Sequence, residues 1–170
     1  MSKLYEQSES DQARIISLLQ ESGFEKSEIS PGVINYDRKE FRDRDQRLVE
    51  EKFVLVGSIA VETNKVKLVS EVRSKLNKLI AQGLDIQNNE PAYYFTKLNE
   101  IKPAMVKEAT TNARIAANEF AANAGVKVGR IRDAQQGSFI IRDVGEEYSD
   151  TKSIEKEVRL VTTITFYLTD

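Results

Sequence analysis

Between Ile101 and Asp143 the chain reads IKPAMVKEATTNARIAANEFAANAGVKVGRIRDAQQGSFIIRD, and no other stretch constrains the fold as tightly. Eight alanines lie between Ala104 and Ala124, so a helix here can approach a sheet or another helix closely. Pro103 suits the first helical position, where its missing N–H is not needed. Met105, Ala109, Ala113, Ala116, Phe120 and Ala124 recur every three or four residues and trace one helical face. Lys107, Glu108, Thr111, Asn112, Asn118 and Asn123 lie largely off that stripe. Gly125 supplies the left-handed residue that ends a helix. Two short strands are expected beyond it, near Lys127–Arg132 and Gly137–Val144.

The rest of the chain alternates helices with strand pairs. A first helix is expected from Ser2 or Lys3 to Ser22, with Ile15, Ile16, Leu18 and Leu19 apolar and Gly23 as its stop. Ser30-Pro31-Gly32 reads as a turn before a strand Val33–Phe41. Phe53, Leu55, Ile59 and Val61 alternate along a second strand, which is apolar on both faces and therefore expected to be central. Gly57 marks a bulge or a close backbone approach within it. Asn64 is the expected cap of a helix Lys65–Gln82 whose stripe is Val69, Val72, Leu76, Leu79 and Ile80. Leu84–Lys97 reads as a strand bent at Gln87-Asn88-Asn89. After the alanine-rich helix and its two strands comes a polar loop, Gly145–Ser153. The last strand, Glu155–Leu168, sets Val158, Leu160, Thr162, Ile164 and Phe166 against Val161, Thr163, Thr165 and Tyr167. The expected class is α+β, with three helices packed on a mainly antiparallel sheet in the order αββαβαββ. Met105, Ala109, Ala116, Phe120, Phe53, Leu55, Ile59, Val72, Leu76, Leu79, Ile164 and Phe166 are the expected core.

Length and composition set the bounds on function. A chain of 170 residues most naturally forms one domain, here residues 1–170, and can bury roughly 70% of its unfolded surface. A net charge of −2 argues against a large nucleic-acid footprint, which needs clustered excess Lys and Arg. No apolar run reaches bilayer-spanning length, and MSKLYEQSES lacks the apolar core of a signal peptide. The chain has no cysteine and no histidine. That removes disulfides, thiol nucleophiles, Ser-His-Asp and Cys-His machinery and nearly all zinc sites of the usual kinds.

Five segments have some chemical promise, and each has a plainer reading. Asp37–Arg47 concentrates Arg38, Lys39, Arg42, Arg44 and Arg47 as a possible anion patch, but Asp37, Glu40, Asp43 and Asp45 alternate with them, as in a solvated hairpin tip. Gly145–Asp150 offers oxygen ligands to Ca²⁺ without EF-hand spacing. The GVKVG run, Gly125–Gly129, follows a helix rather than preceding one, so it lacks the dipole of a phosphate cradle. Tyr93 and Phe95 share a strand face while Tyr94 points away, which suits packing as well as stacking on a base or sugar. Glu155 and Glu157 resemble a glycosidase pair only by proximity. No catalytic, cofactor-binding or metal-ligating residue is assigned, and no cofactor is expected.

KPAMVKEATTNARIAANEFA, then AGVKVGRI (Ala124–Ile131), then the QGSF turn (Gln136–Phe139) together resemble the C-terminal signature of the SIMPL domain family. The weaker helix–strand–strand–helix pattern extends the resemblance back to about Leu4. The family occurs mainly in bacterial periplasmic or envelope proteins and in a eukaryotic adaptor of a pelle-like kinase. The resemblance implies an extracytoplasmic setting, a loose link to stress tolerance and no known catalytic motif. It also implies an export or anchor segment and a strand ahead of the first helix, so a sequence that opens on that helix is expected to be missing its natural N-terminus. Membrane attachment is therefore expected only through that missing segment. The function expected is that of a non-enzymatic envelope protein acting by self-association or by binding a protein partner, with no nucleic acid. The alternative is a small-ligand or peptide-binding module using a groove or an open sheet edge. A hydrolase working with carboxylates or Lys and Ser is a third, weaker option. A neighbouring copy is expected to meet the chain through a strand edge or a helix face.

Overall fold

The computed structural model describes residues 2–170, which form two compact units, one running to Glu90 and the other Pro91–Asp170. The first contains α1 (Ser2–Glu21), a 3-10 turn (Lys26–Glu28), β1 (Ile29–Pro31), β2 (Asn35–Arg42), β3 (Leu48–Val56), β4 (Ile59–Val61) and α2 (Val66–Ala81). The second contains α3 (Leu98–Asn123), β5 (Lys127–Asp143) and β6 (Lys156–Thr169). Three helices and antiparallel pairing make this an α+β fold, as the sequence implies.

All three helices end in the same way. Gly23, Gly83 and Gly125 have φ of +112°, +93° and +74°, conformations that a Cβ disfavours. Each glycine turns the chain back so that the next N–H reaches the carbonyl five residues earlier: Phe24 to Leu19 at 3.2 Å, Leu84 to Leu79 at 3.1 Å and Val126 to Ala121 at 3.0 Å. The glycine N–H groups themselves donate to Gln20, Ile80 and Ala122. These are Schellman closures, in which the residue after the glycine also packs on the helix residue it bonds. Leu19, Phe24, Leu79, Leu84 and Ala121 are all buried. Helix closure thus supplies most of the buried apolar set, to which Ile29 and Val72 are added.

In the first unit Leu19, Phe24, Ile29 and Val72 form the core, flanked by Ile15, Ile16, Leu18, Ile59, Leu68, Val69 and Leu76. β1 pairs with β4 and β2 with β3, each antiparallel. The turn expected at Ser30-Pro31-Gly32 is instead the short strand β1 and its exit. The long strand expected at Phe53–Val61 is broken between Val56 and Ile59, at Gly57-Ser58. The break coincides with a one-residue shift in pairing: between Pro31↔Ile59 and Asn35↔Val56, three residues, 32–34, oppose two, 57–58, and the Gly32 N–H donates to the Ser58 carbonyl at 2.7 Å, where a Cβ on Gly32 would lie 2.2 Å from Ser58 Oγ. Nor is this strand central, because each sheet has two strands. Beyond the break β2 is exposed along its whole length, and Phe53 and Leu55 are only half-buried.

The strand expected at Leu84–Lys97 does not form, and the observed element order is αββββααββ. Leu84 is consumed by the closure of α2, and Pro91 lacks the N–H a ladder needs. Asn64 does not cap α2; Lys65 occupies that position without a side-chain capping bond.

In the second unit α3 starts at Leu98, five residues before Pro103. Its inward face is Met105, Ala109, Ala113, Ala117 and Ala121, so the expected stripe drifts one residue out of register in the second half. Ala116 is exposed, and Phe120 is 78% exposed. The drift follows from reading i+3 spacings where the helix keeps i+4, which placed the large ring inside. The two strands expected after the helix are one strand, β5, and the QGSF segment is a bulge within it. β5 shifts register against β6 between Gln136 and Phe139, where a Cβ on Gly137 would come 2.5 Å from the Val161 carbonyl oxygen. β6 alternates as expected, with Val158, Leu160, Thr162, Ile164 and Phe166 inward. Lys102 and Arg114 of α3 lie over the rings of Phe139 and Phe166, at 5.6 and 4.9 Å.

Two stability measurements check this arrangement by denaturant unfolding. Phe120→Ala changes stability by no more than ~0.5 kcal/mol, as at an exposed site, whereas Ala121→Leu costs ~1–3 kcal/mol through overpacking; the reverse order would restore the original stripe. Gly83→Ala costs ~1–2 kcal/mol even though nothing lies within 4 Å of the added Cβ, because the penalty is in the backbone.

Candidate functional site

Charged residues dominate the polar architecture, and the one with the least access to water is a carboxylate. Asp143 ends β5 and is fully buried. Its strand alternation puts it on the inward face with Phe139 and Ile141. Lys156 begins β6 directly opposite it, and the two side chains are 0% and 4% exposed. The Lys156 ammonium donates to one carboxylate oxygen of Asp143 and, at 2.9 Å, to the Asp150 carbonyl. The Ser149 hydroxyl donates to the carboxylate at 2.5 Å, and the backbone N–H groups of Lys152 and Ser153 donate at 2.8 and 3.1 Å. The Asp143 N–H in turn donates to the Ser149 carbonyl at 2.8 Å.

Burial alone would raise the Asp143 pKa. The Lys156 ammonium, the Ser149 hydroxyl and the two backbone donors outweigh it and hold the carboxyl well below its usual range. With four donors on two oxygens and no solvent access, this carboxylate is a clasp that folds the 144–155 loop onto the hairpin. The loop also accepts the Tyr93 N–H at the Thr151 carbonyl, 2.7 Å away, which ties the segment before α3 to the same point.

A second, more exposed cluster closes the first unit. Lys65 donates to Glu28 at 2.8 Å, to Glu25 at 3.2 Å and to the Gly23 carbonyl at 3.1 Å. The Thr63 hydroxyl donates to Glu28 at 2.6 Å. The Lys65 ammonium, the Thr63 hydroxyl and the Glu25 N–H draw the Glu28 pKa from 4.5 down to about 2.

The segments singled out in the sequence remain apart. The charge run forms β2 and the following turn, where Arg38 bridges Glu40 and Glu51 and Arg42 meets Glu40 at 2.7 Å. Asp43 accepts the N–H groups of Asp45 and Arg47. Local pairing therefore offsets Arg38 and Arg42 of this patch. In the 145–150 loop Tyr148 is 94% exposed. Among the described residues no three acidic side chains converge as metal ligands would. Gly125 closes α3 and Lys127–Gly129 begin β5, so GVKVG is turn and strand. Tyr93 and Phe95 are half-buried and Tyr94 exposed, in a segment without regular structure. Glu155 and Glu157 are exposed, and Glu157 pairs across the ladder with Arg142.

Each unit has an open dent. One, of about 510 Å³, lies at the start of α2 between Asn64 and Glu71. The other, of about 350 Å³, lies on the outer face of the hairpin, lined by Ile140, Arg142, Glu157 and Arg159 under Gly145–Glu147. Neither encloses a nucleophile beside a base.

An α+β chain of antiparallel hairpins, of which β5–β6 is backed by α3 and closed by a buried Asp–Lys clasp, defines a structural class rather than a reaction. The comparison of sequences supplies the family. Residues 1–166 match the model named SIMPL, described as a protein of unknown function (DUF541). The chain belongs to the SIMPL family. No curated protein matches it. Among the described residues no helix is long and apolar enough to cross a membrane.

The clasp makes a signed prediction for acid unfolding. Asp143 and Glu28 both have folded pKa values below their ordinary ones, so their contribution is present above about pH 4.5 and is lost as pH falls through the folded values. Thermal midpoints measured from pH 6 to pH 2 fall in the wild type. They fall less steeply in Asp143→Asn and in Glu28→Gln, each of which starts from a lower midpoint. Parallel curves for wild type and variants would remove both groups from the account.

Proposed function

We propose that this chain is a non-enzymatic SIMPL-family protein of the cell envelope, positioned outside the cytoplasm, that works by self-association or by binding a protein partner. The extracytoplasmic setting is inferred from the family.

Surface area is the observation that carries the assembly reading. The chain exposes 13,080 Å² at a mass of 19.3 kDa. Two fully separated compact bodies of half that mass would expose about 10,200 Å² in total. The excess, on the order of 3,000 Å², therefore arises within the units, whatever lies between them. It falls in the range that permanent subunits bury against one another. Its sources are visible: β2 is bare on both faces, and Val33, Val49, Val56, Ile115, Phe120 and Leu168 are each more than half exposed. A two-stranded hairpin is marginal in water unless something packs on it.

Sedimentation equilibrium on the full chain tests this. The expected mass is a multiple of 19.3 kDa at micromolar concentration, or a defined complex with an envelope protein. A monomer that persists to millimolar concentration and binds no envelope component would overturn the reading.

A further inference from the structure

We propose that β6 is the docking edge for a second copy of this chain, added antiparallel to its own counterpart about a twofold axis at Thr162. This deepens the self-association reading above and rests on it.

The hairpin β5–β6 has two outer edges, and they are not equivalent. All three register shifts place the extra residue on β5: Val128–Ile131 spans Leu168–Phe166, Ile131–Asp133 spans Phe166–Thr165, and Gln136–Phe139 spans Thr162–Leu160. β5 also carries Lys127, Arg130, Arg132, Asp133 and Arg142. Bulges and charges are the devices by which a sheet edge resists further pairing. β6 has neither. Its run Leu160–Thr169, LVTTITFYLT, contains no charge, glycine or proline and is almost wholly β-branched, aromatic or leucine, the residues that favour a pleated strand. An undefended edge of this length is a template for another strand.

The sequence of β6 fits a copy of itself. Antiparallel strands in one sheet place residues of like parity opposite each other. About an axis at Thr162, the inward residues Leu160 and Val158 face Ile164 and Phe166 of the second copy, and Thr162 faces its own counterpart. On the outer face Val161 meets Thr163, Arg159 meets Thr165 and Glu157 meets Tyr167. No like charges oppose one another, and aliphatic–aromatic and Thr–Thr pairs are the favourable cross-strand combinations. The inward stripe that α3 covers in one copy would run uninterrupted into the next, giving a four-stranded sheet with a helix from each chain on it. Such a contact is isologous and closes at two copies. β5 offers no comparable surface, because its bulges interrupt the alternation three times.

A charge-swap experiment on the full chain tests the edge. Val161 and Thr163 are exposed on the outer face, so the pair Val161→Lys with Thr163→Lys leaves the hairpin's contact with α3 intact. So does the pair Val161→Glu with Thr163→Glu. In the proposed contact each double variant opposes like charges, while their mixture opposes unlike ones. Light scattering is expected to show at least a tenfold weaker association for each double variant alone and recovery of the wild-type mass in an equimolar mixture, with unchanged far-ultraviolet circular dichroism. Should a double variant not fold, Thr163→Lys alone is expected to weaken association at least tenfold. Wild-type mass in the lysine variants would overturn the β6 edge and leave self-association standing through another surface. Loss of association without recovery in the mixture would equally overturn a β6-to-β6 contact. A wild-type chain that is monomeric throughout would instead remove the assembly reading itself.

Discussion

The glycine closures at the helix ends set the terms for the rest of this structure. A helix ends with unpaired carbonyls, and the chain must leave in a direction that satisfies them. Gly23, Gly83 and Gly125 do so by turning left-handed, and each turn drops an apolar residue onto the last inward residue of its helix. Phe24 on Leu19 starts the core into which Ile29 and Val72 fit. Leu84 on Leu79 ends α2 and takes from the following segment the residue that would have opened a strand. Val126 against Ala121 brings β5 back along the alanine face of α3. Hydrogen bonding and apolar burial are coupled at each of these three points.

Away from those points the molecule is sparsely covered. The ribbons are two strands wide, and a sheet so narrow gains little from cross-strand pairing alone. Backbone groups at an open edge are satisfied by water, so strand addition gains little net hydrogen-bond energy. The larger gain is the apolar surface carried with the strand. The difference between β5 and β6 follows from this. One strand is bulged three times and charged along its length, and the other is regular and uncharged from Leu160 onward.

The Asp143–Lys156 pair works in the opposite sense. It removes two charges from water, a step that costs free energy unless every remaining donor and acceptor is used. Here the carboxylate takes four donors and the ammonium two acceptors, so the 144–155 loop is held at one geometry. Such a pair contributes specificity of loop position more than net stability. With its oxygens occupied and buried, the most perturbed carboxylate in the second unit is unavailable to a substrate.

Much of this was legible in the residues. The three glycine stops, the inward stripe of α2 from Val69 to Leu79, the alternation of β6 and the α+β class follow from local rules: which residues tolerate positive φ, and which periods match a helix or a strand. The inward parity of Asp143 with Ile141, and of Lys156 with Val158, is also written in the sequence. That these charges face each other is not, because register depends on bulges at Gly129–Arg130, Arg132 and Gly137–Ser138, whose positions are fixed by contact with β6. Only tertiary structure decided that Phe120 faces out while Ala121 faces in. A helix with seven alanines carries too little hydrophobic contrast to fix its own rotation, and the closure at Gly125 sets it instead. In the same way Phe53–Val61 is apolar enough for a central strand, but a one-residue shift in pairing at Gly57-Ser58 interrupts it and no third strand arrives. Sequence determined the elements whose signals are local. Packing against a partner segment determined their rotation, their register and their edges, because those depend on distances the sequence does not contain.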